Sequence, residues 1–175
     1  SIGELKGKSE VYTLFYDALV TGPKSAADLM QVATAKPLGL GDLMQALSLM
    51  LNAGHITLFC PPADRAPALA LNRAIAIATA QGAPYRFAIA SHLGHVLTVS
   101  DVDLMFLAET FEQPQIAADA LGTALTERLI ALGKGLTQNG QPLTSRDALR
   151  PYTQTLAATF LQSTLPRWRE LGVCD

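Results

Sequence analysis

Nearly half of the 175 residues are apolar and only 16% are charged, a balance that can build a core and excludes a disordered segment. The net charge of −2 hides no asymmetry: residues 1–60 hold four lysines and five acids, residues 61–175 nine bases and ten acids, so no basic tail marks a nucleic-acid footprint. The two cysteines, Cys60 and Cys174, suit reduced thiols of a cytoplasmic protein better than a disulfide framework, and no signal peptide or uninterrupted apolar run long enough to span a membrane is visible.

The chain starts at Ser1 with a polar lead-in, Gly3–Lys8, which reads as the edge of a longer protein. Ser9 is a candidate helix cap, followed to Val20 by Val11, Leu14, Phe15, Ala18 and Leu19 on one stripe, and Thr21-Gly22-Pro23 stops the pattern. A second helix starts after Ser25, with Asp28 placed to complete a capping box and Ala26, Leu29, Met30 and Ala33 as its buried side. The turn Lys36–Gly41 leads into a third, where Leu43, Leu47, Met50 and Leu51 face the same core. Across Ala53-Gly54-His55 the pattern changes to a short strand, Ile56–Phe59, closed by Cys60-Pro61-Pro62. Helix, helix, turn, helix and strand is the order of a winged helix.

Beyond it, Ala66–Gln81 reads as a helix with Leu69, Leu71, Ile75 and Ile77 as its apolar positions, ended by Gly82 and Pro84. Tyr85–Ala90 and Val96–Val99 are strand-like and joined by Ser91–His95, which predicts a hairpin or an addition to the wing. Ser100 and Asp103 make a capping box for a helix to about Phe111, with Leu104, Phe106 and Leu107 inward. Pro114 suits the first turn of a helix from about Gln115 to Leu132, with Ile116, Ala120, Leu125, Leu129 and Leu132 along one side. Thr137–Pro142 reads as a flexible loop, Ser145 caps a short turn, Pro151 restarts a helix through Leu165, and Pro166 opens a last turn with Trp168 and Leu171.

Chemical signatures are sparse. Gly133-Lys134 fails as a phosphate-binding loop, because Arg128 stands where the first glycine is needed and Gly135 where a serine or threonine is needed. Gly39-Leu40-Gly41 follows no strand and is helix punctuation. His92 and His95 flank Gly94 and could share a metal with His55 or Cys60, but without a signature spacing; the plain reading is two loop histidines, and no metal site is assigned. Ser91 beside His92 lacks a nucleophile elbow, and the carboxylates Asp101, Asp103, Glu109 and Glu112 fit helix ends and faces, so no catalytic residue is assigned. Arg167-Trp168-Arg169 reads as a buried tryptophan between outward arginines, or as a partner-gripping cluster. The third helix of a winged helix normally reads nucleic acid, yet Gly41–Ala53 has no lysine or arginine and carries Asp42, which argues against that role.

Three segments, Leu43–Pro62, Leu71–Leu107 and Leu165–Val173, together resemble the C-terminal regulatory region of a group of bacterial S-adenosylmethionine-dependent methyltransferases that includes protein-lysine methyltransferases. Where a Pro-x-x-Gly phrase would follow the Tyr85–Ala90 strand, this chain has Ser91-His92-Leu93-Gly94, and only Gly94 fits. The resemblance implies a parent chain whose catalytic domain binds S-adenosylmethionine, with no cofactor residue in this part. It also implies partners: the catalytic domain of the same chain, a protein substrate, and a second copy in a homodimer.

The resulting expectation is a mostly α fold with small β content: a winged-helix-like unit at residues 1–62, packed on a helical part at 63–175 that carries a hairpin, either as two units or as one compact domain. The expected function is a non-catalytic regulatory or substrate-recognition module. The alternative is a winged-helix DNA-binding transcriptional regulator with a C-terminal effector domain. The candidate interaction surface is Asn72, Arg73, Ser91, His92 and His95, polar groups at the edges of apolar elements.

Overall fold

The computed structural model describes residues 9–34 and 38–175, and the chain divides into two compact units, Ser1–Phe59 and Cys60–Asp175. It is mostly α-helical with two small antiparallel hairpins, both in the second unit.

The first unit holds α1 (Ser9–Val20), α2 (Ala26–Thr34) and α3 (Leu40–Asn52). Its core is Val11 and Phe15 from α1, Leu29 and Ala33 from α2, and Leu43, Ala46 and Met50 from α3. The start of α2 is fixed as the sequence predicts: the Asp28 N–H donates to Ser25 Oγ at 3.1 Å, and the Ser25 N–H donates to Asp28 Oδ2 at 3.0 Å. A similar carboxylate return opens α3, where the Gly39 N–H donates to Asp42 Oδ2 at 3.0 Å. Ala26 is exposed rather than buried: it is the first residue of α2, and the helix meets the core through Leu29 and Ala33, one and two turns further on. Of the expected turn Lys36–Gly41, Lys36 and Pro37 lie outside the described residues.

The expected wing strand does not form. Residues 56–59 have no regular structure and pair with no strand among the described residues, and Leu58 and Phe59 are exposed. A strand needs a neighbour to satisfy its backbone groups, and beyond Cys60 the residues Pro61 and Pro62 carry no N–H to extend a ladder. The unit is therefore a three-helix arrangement followed by a segment, residues 56–59, without regular structure.

The second unit contains α4 (Ala66–Ala80), the hairpin β1 (Phe87–Ala90) and β2 (His95–Thr98), α5 (Asp101–Glu112), α6 (Ala118–Ala131), the hairpin β3 (Leu136–Gln138) and β4 (Gln141–Leu143), α7 (Arg146–Thr159) and α8 (Leu165–Glu170). Its core runs through α5, whose consecutive residues Leu104–Ala108 are all buried, as befits a helix covered on several sides. Phe106, Phe160 and Trp168 form an aromatic chain with ring centroids 5.3 and 5.8 Å apart. Arg128 on α6 joins three helices, pairing with Glu109 of α5 and donating from Nη1 to the Ala80 carbonyl of α4 at 3.2 Å. Between α6 and α7 a Thr126–Thr153 hydroxyl pair at 2.7 Å sits beside Gly122, where a Cβ would lie 2.6 Å from Gln154 Cα.

Several sequence expectations change here. The buried row of α4 is Asn72, Ile75, Ala76, Thr79 and Ala80, with Leu71 and Ile77 exposed, because two polar residues with internal partners occupy core positions. Pro114 precedes α6 by one turn instead of opening it, and Ala120 is exposed. Thr137–Pro142 is a hairpin: Asn139 and Gly140 have φ of 49° and 78°, the two positive values a type I′ turn requires. Pro151 lies inside α7, which runs on through a π-helical turn at Phe160–Thr164 into α8. There the Leu165 N–H reaches back five residues to the Phe160 carbonyl, a widening that makes room for the Pro166 ring.

Candidate interaction surfaces

Ser91–Gly94 is the tight link of the first hairpin, and the structure anchors it to the end of the chain. After α8, Gly172 adopts φ 72°, its N–H donating to the Arg169 carbonyl at 3.1 Å and the Val173 N–H to the Trp168 carbonyl at 2.8 Å. This pair of bonds ends the helix and turns the chain sharply. The tail then runs past the hairpin: the His92 N–H donates to the Leu171 carbonyl at 3.1 Å, and Ser91 Oγ donates to the Gly172 carbonyl at 2.8 Å.

Asn72 completes the anchor from α4. Its Oδ1 accepts the Ile89 N–H at 2.7 Å, while its Nδ2 donates to the carbonyls of Ile89 and Val173, both at 2.8 Å. Asn72 is 0% exposed, so it is not a surface residue; it stands in for the strand that β1 lacks on that edge. Ser91 is likewise buried and spends its hydroxyl on the tail.

His92 is half-buried. Its Nδ1–H donates to the Glu170 carbonyl at 2.7 Å, which leaves Nε2 to accept from Arg65 Nη1 at 3.3 Å, and Arg65 Nη2 also pairs with Asp175 Oδ1 at 3.3 Å. Cys60 closes the group, its N–H donating to the His92 carbonyl at 2.6 Å. The sequence-predicted set thus separates. Asn72, Ser91 and His92 join in one structural anchor, whereas His95 and Arg73 are exposed outside it, His95 with its Nδ1 3.0 Å from the Val96 carbonyl. Among the described residues no group of three or more His, Cys, Asp or Glu side chains is placed to hold a metal ion.

Of Arg167-Trp168-Arg169, Trp168 is buried against Phe160 and the arginines are exposed, Arg169 Nε donating to the Asp175 carbonyl at 2.9 Å. Burial pushes the neighbouring Cys174 thiol up to about 11, which keeps it neutral, and burial followed by Asp101 raises the Asp103 carboxyl. The hydrogen bonds from Ser25 hold Asp28 below the usual carboxylate range.

The surface that sequence periodicity does not reveal lies on α3. Its core side is Leu43, Ala46 and Met50, but Leu40, Met44 and Leu51 point elsewhere, 61%, 54% and 40% exposed. With half-buried Leu47 they recur at spacings of four, three and four residues, which at 100° per residue stacks them in one line about a quarter-turn from the core side. A signal was present, since apolar residues occupy more of the helix circumference than one buried face needs. No helix among the described residues is long and apolar enough to cross a membrane. Comparison of the chain with protein-family models, with curated proteins and with solved structures found no match.

Proposed function

We propose that this chain is a non-catalytic regulatory or substrate-recognition module of a cytoplasmic S-adenosylmethionine-dependent methyltransferase, belonging to a longer protein whose catalytic domain holds the cofactor. The observation that carries the reading is the line of Leu40, Met44 and Leu51 on α3. In a DNA-binding winged helix that position carries phosphate-pairing cations and base-reading polar groups. Here it carries aliphatic side chains and no lysine or arginine, a surface chemistry suited to packing on protein. The occupant proposed for it is the catalytic domain of the same chain, with the protein substrate and a second copy as the other partners such a module meets.

The coding sequence upstream of Ser1 tests the parentage. A strand followed by a glycine-rich loop and an acidic strand end is expected there, and an upstream region without them overturns the reading. In the longer protein, Leu40→Gln with Met44→Gln is expected to reduce methyl transfer from radiolabelled S-adenosylmethionine while leaving the fold intact. Salt-sensitive binding of duplex DNA by the chain at low ionic strength would instead favour a transcriptional regulator.

A further inference from the structure

The second unit contains a cleft of about 460 Å³ between α4, α5 and the segment around α8, a volume within the roughly 300–1,000 Å³ of small-molecule sites. Its walls are apolar, with Leu69 from α4, Leu107 and Phe111 from α5, and Leu165 from α8. Three charged side chains reach it, Arg73, Arg169 and Asp175. Asp175 is held by Arg65, and Arg169 is tied by its Nε to the Asp175 backbone. Arg73 has no carboxylate or carbonyl partner among the described residues; its guanidinium carbon lies over the Phe111 ring, 5.1 Å from the centroid.

A cation–π contact with the ring face uses none of the guanidinium N–H donors, which stay available to bind something else. The fork of donors matches the two oxygens of a carboxylate. With Arg65 and Arg169 both committed to Asp175, the single charge of Arg73 is the one the cleft offers to a ligand, and it matches a monoanion better than a phosphate dianion. The apolar walls then require that the anion carry a hydrocarbon body.

We propose that this cleft binds an amphipathic monocarboxylate, its carboxylate on the Arg73 guanidinium and its hydrocarbon body against Leu69, Leu107, Phe111 and Leu165. The site gives the second unit a place for a small organic acid, and it does not depend on the methyltransferase reading.

Isothermal titration of the purified chain with sodium octanoate tests the proposal, with 1-octanol, octylamine and octyl phosphate as comparisons. Octanoate is expected to bind saturably and at least tenfold more tightly than each of the other three. Arg73→Gln, a change at an exposed position, is expected to weaken octanoate binding at least tenfold with an unchanged Tm, and Arg73→Lys to give an intermediate loss. Octanoate binding no tighter than 1-octanol, or unaltered binding in Arg73→Gln, overturns the carboxylate site. Tighter binding of octyl phosphate overturns the monoanion assignment.

Discussion

The side-chain amide of Asn72 grips both backbone polar groups of Ile89, accepting from its N–H at 2.7 Å and donating to its carbonyl at 2.8 Å. One asparagine thereby does for β1 what a neighbouring strand would do, and its shared Nδ2 extends the arrangement to the Val173 carbonyl. Removing it strands three backbone groups at a buried position, each worth about 1–3 kcal/mol when left unsatisfied, with water reaching some of them. Asn72→Ala is expected to lower the stability of the second unit by roughly 2–5 kcal/mol in urea unfolding. Asn72→Asp should be at least as damaging, since a carboxylate facing two carbonyls offers no donor.

Gly172 is the turning point of the tail. Its φ of 72° disfavours an L side chain, and a Cβ there would collide with the Ser91 hydroxyl and lie 2.9 Å from His92 Cδ2. Gly172→Ala should therefore cost more than the roughly 1–2 kcal/mol of the left-handed conformation alone. Ser91→Ala in the same background relieves the collision. The double variant should then be more stable than the sum of the single changes predicts, a non-additivity measurable by a thermal double-mutant cycle.

The two thiols should behave differently. Cys60 is exposed and Cys174 is buried, so a disulfide reagent at pH 8 should label one thiol quickly and the second only on unfolding. Burial raises Cys174 from 9.0 to about 11, so as pH climbs between those values the unfolded chain gives up its thiol proton before the folded one does. The folded state binds more protons in that window, and stability falls as pH rises through it. Cys174→Ala should flatten the decline seen in chemical denaturation between pH 9 and pH 11.

On α3, neighbouring positions should respond in opposite ways. Leu43 is buried in the three-helix core, and Leu43→Ala should cost about 2–5 kcal/mol. Leu40→Gln and Met44→Gln touch an uncovered line and should each change the stability of the isolated chain by no more than about 0.5 kcal/mol. Equilibrium unfolding followed by far-UV circular dichroism checks both.

What the sequence made legible was local. Ser25 with Asp28 and Ser145 under the Ala148 N–H follow from chemistry within a few residues, and of the two arrangements open to Tyr85–Ala90 and Val96–Val99 the hairpin is the one that forms, at Phe87–Ala90 and His95–Thr98. The Asn139-Gly140 turn was equally local, and reading it as a loop put flexibility ahead of the one dipeptide most suited to a type I′ hairpin. The wing strand failed for the opposite reason: Ile56–Phe59 has a strand composition, but pairing is decided by a partner elsewhere. Asn72 and Ser91 were misplaced on the surface because a polar side chain announces burial only through its partners, and theirs lie as far as 101 and 81 residues away. Leu40, Met44 and Leu51 were visible as apolar residues, but only the packing of α1 and α2 shows which side of α3 is already covered.

The 101-residue separation between Asn72 and Val173 also sets a clock on synthesis. A ribosome adding roughly 5–20 residues per second takes about 5–20 s to pass from one to the other. For that interval Asn72 and Ile89 have each other but not the tail, and the hairpin link at Ser91 has no acceptor for its hydroxyl. The second unit can gather its helices as they emerge, yet it cannot close this edge until Gly172 and Val173 have left the exit tunnel. A nascent chain stalled before Gly172 should stay sensitive to protease near the first hairpin, and one extended beyond Asp175 by a tunnel-length linker should not.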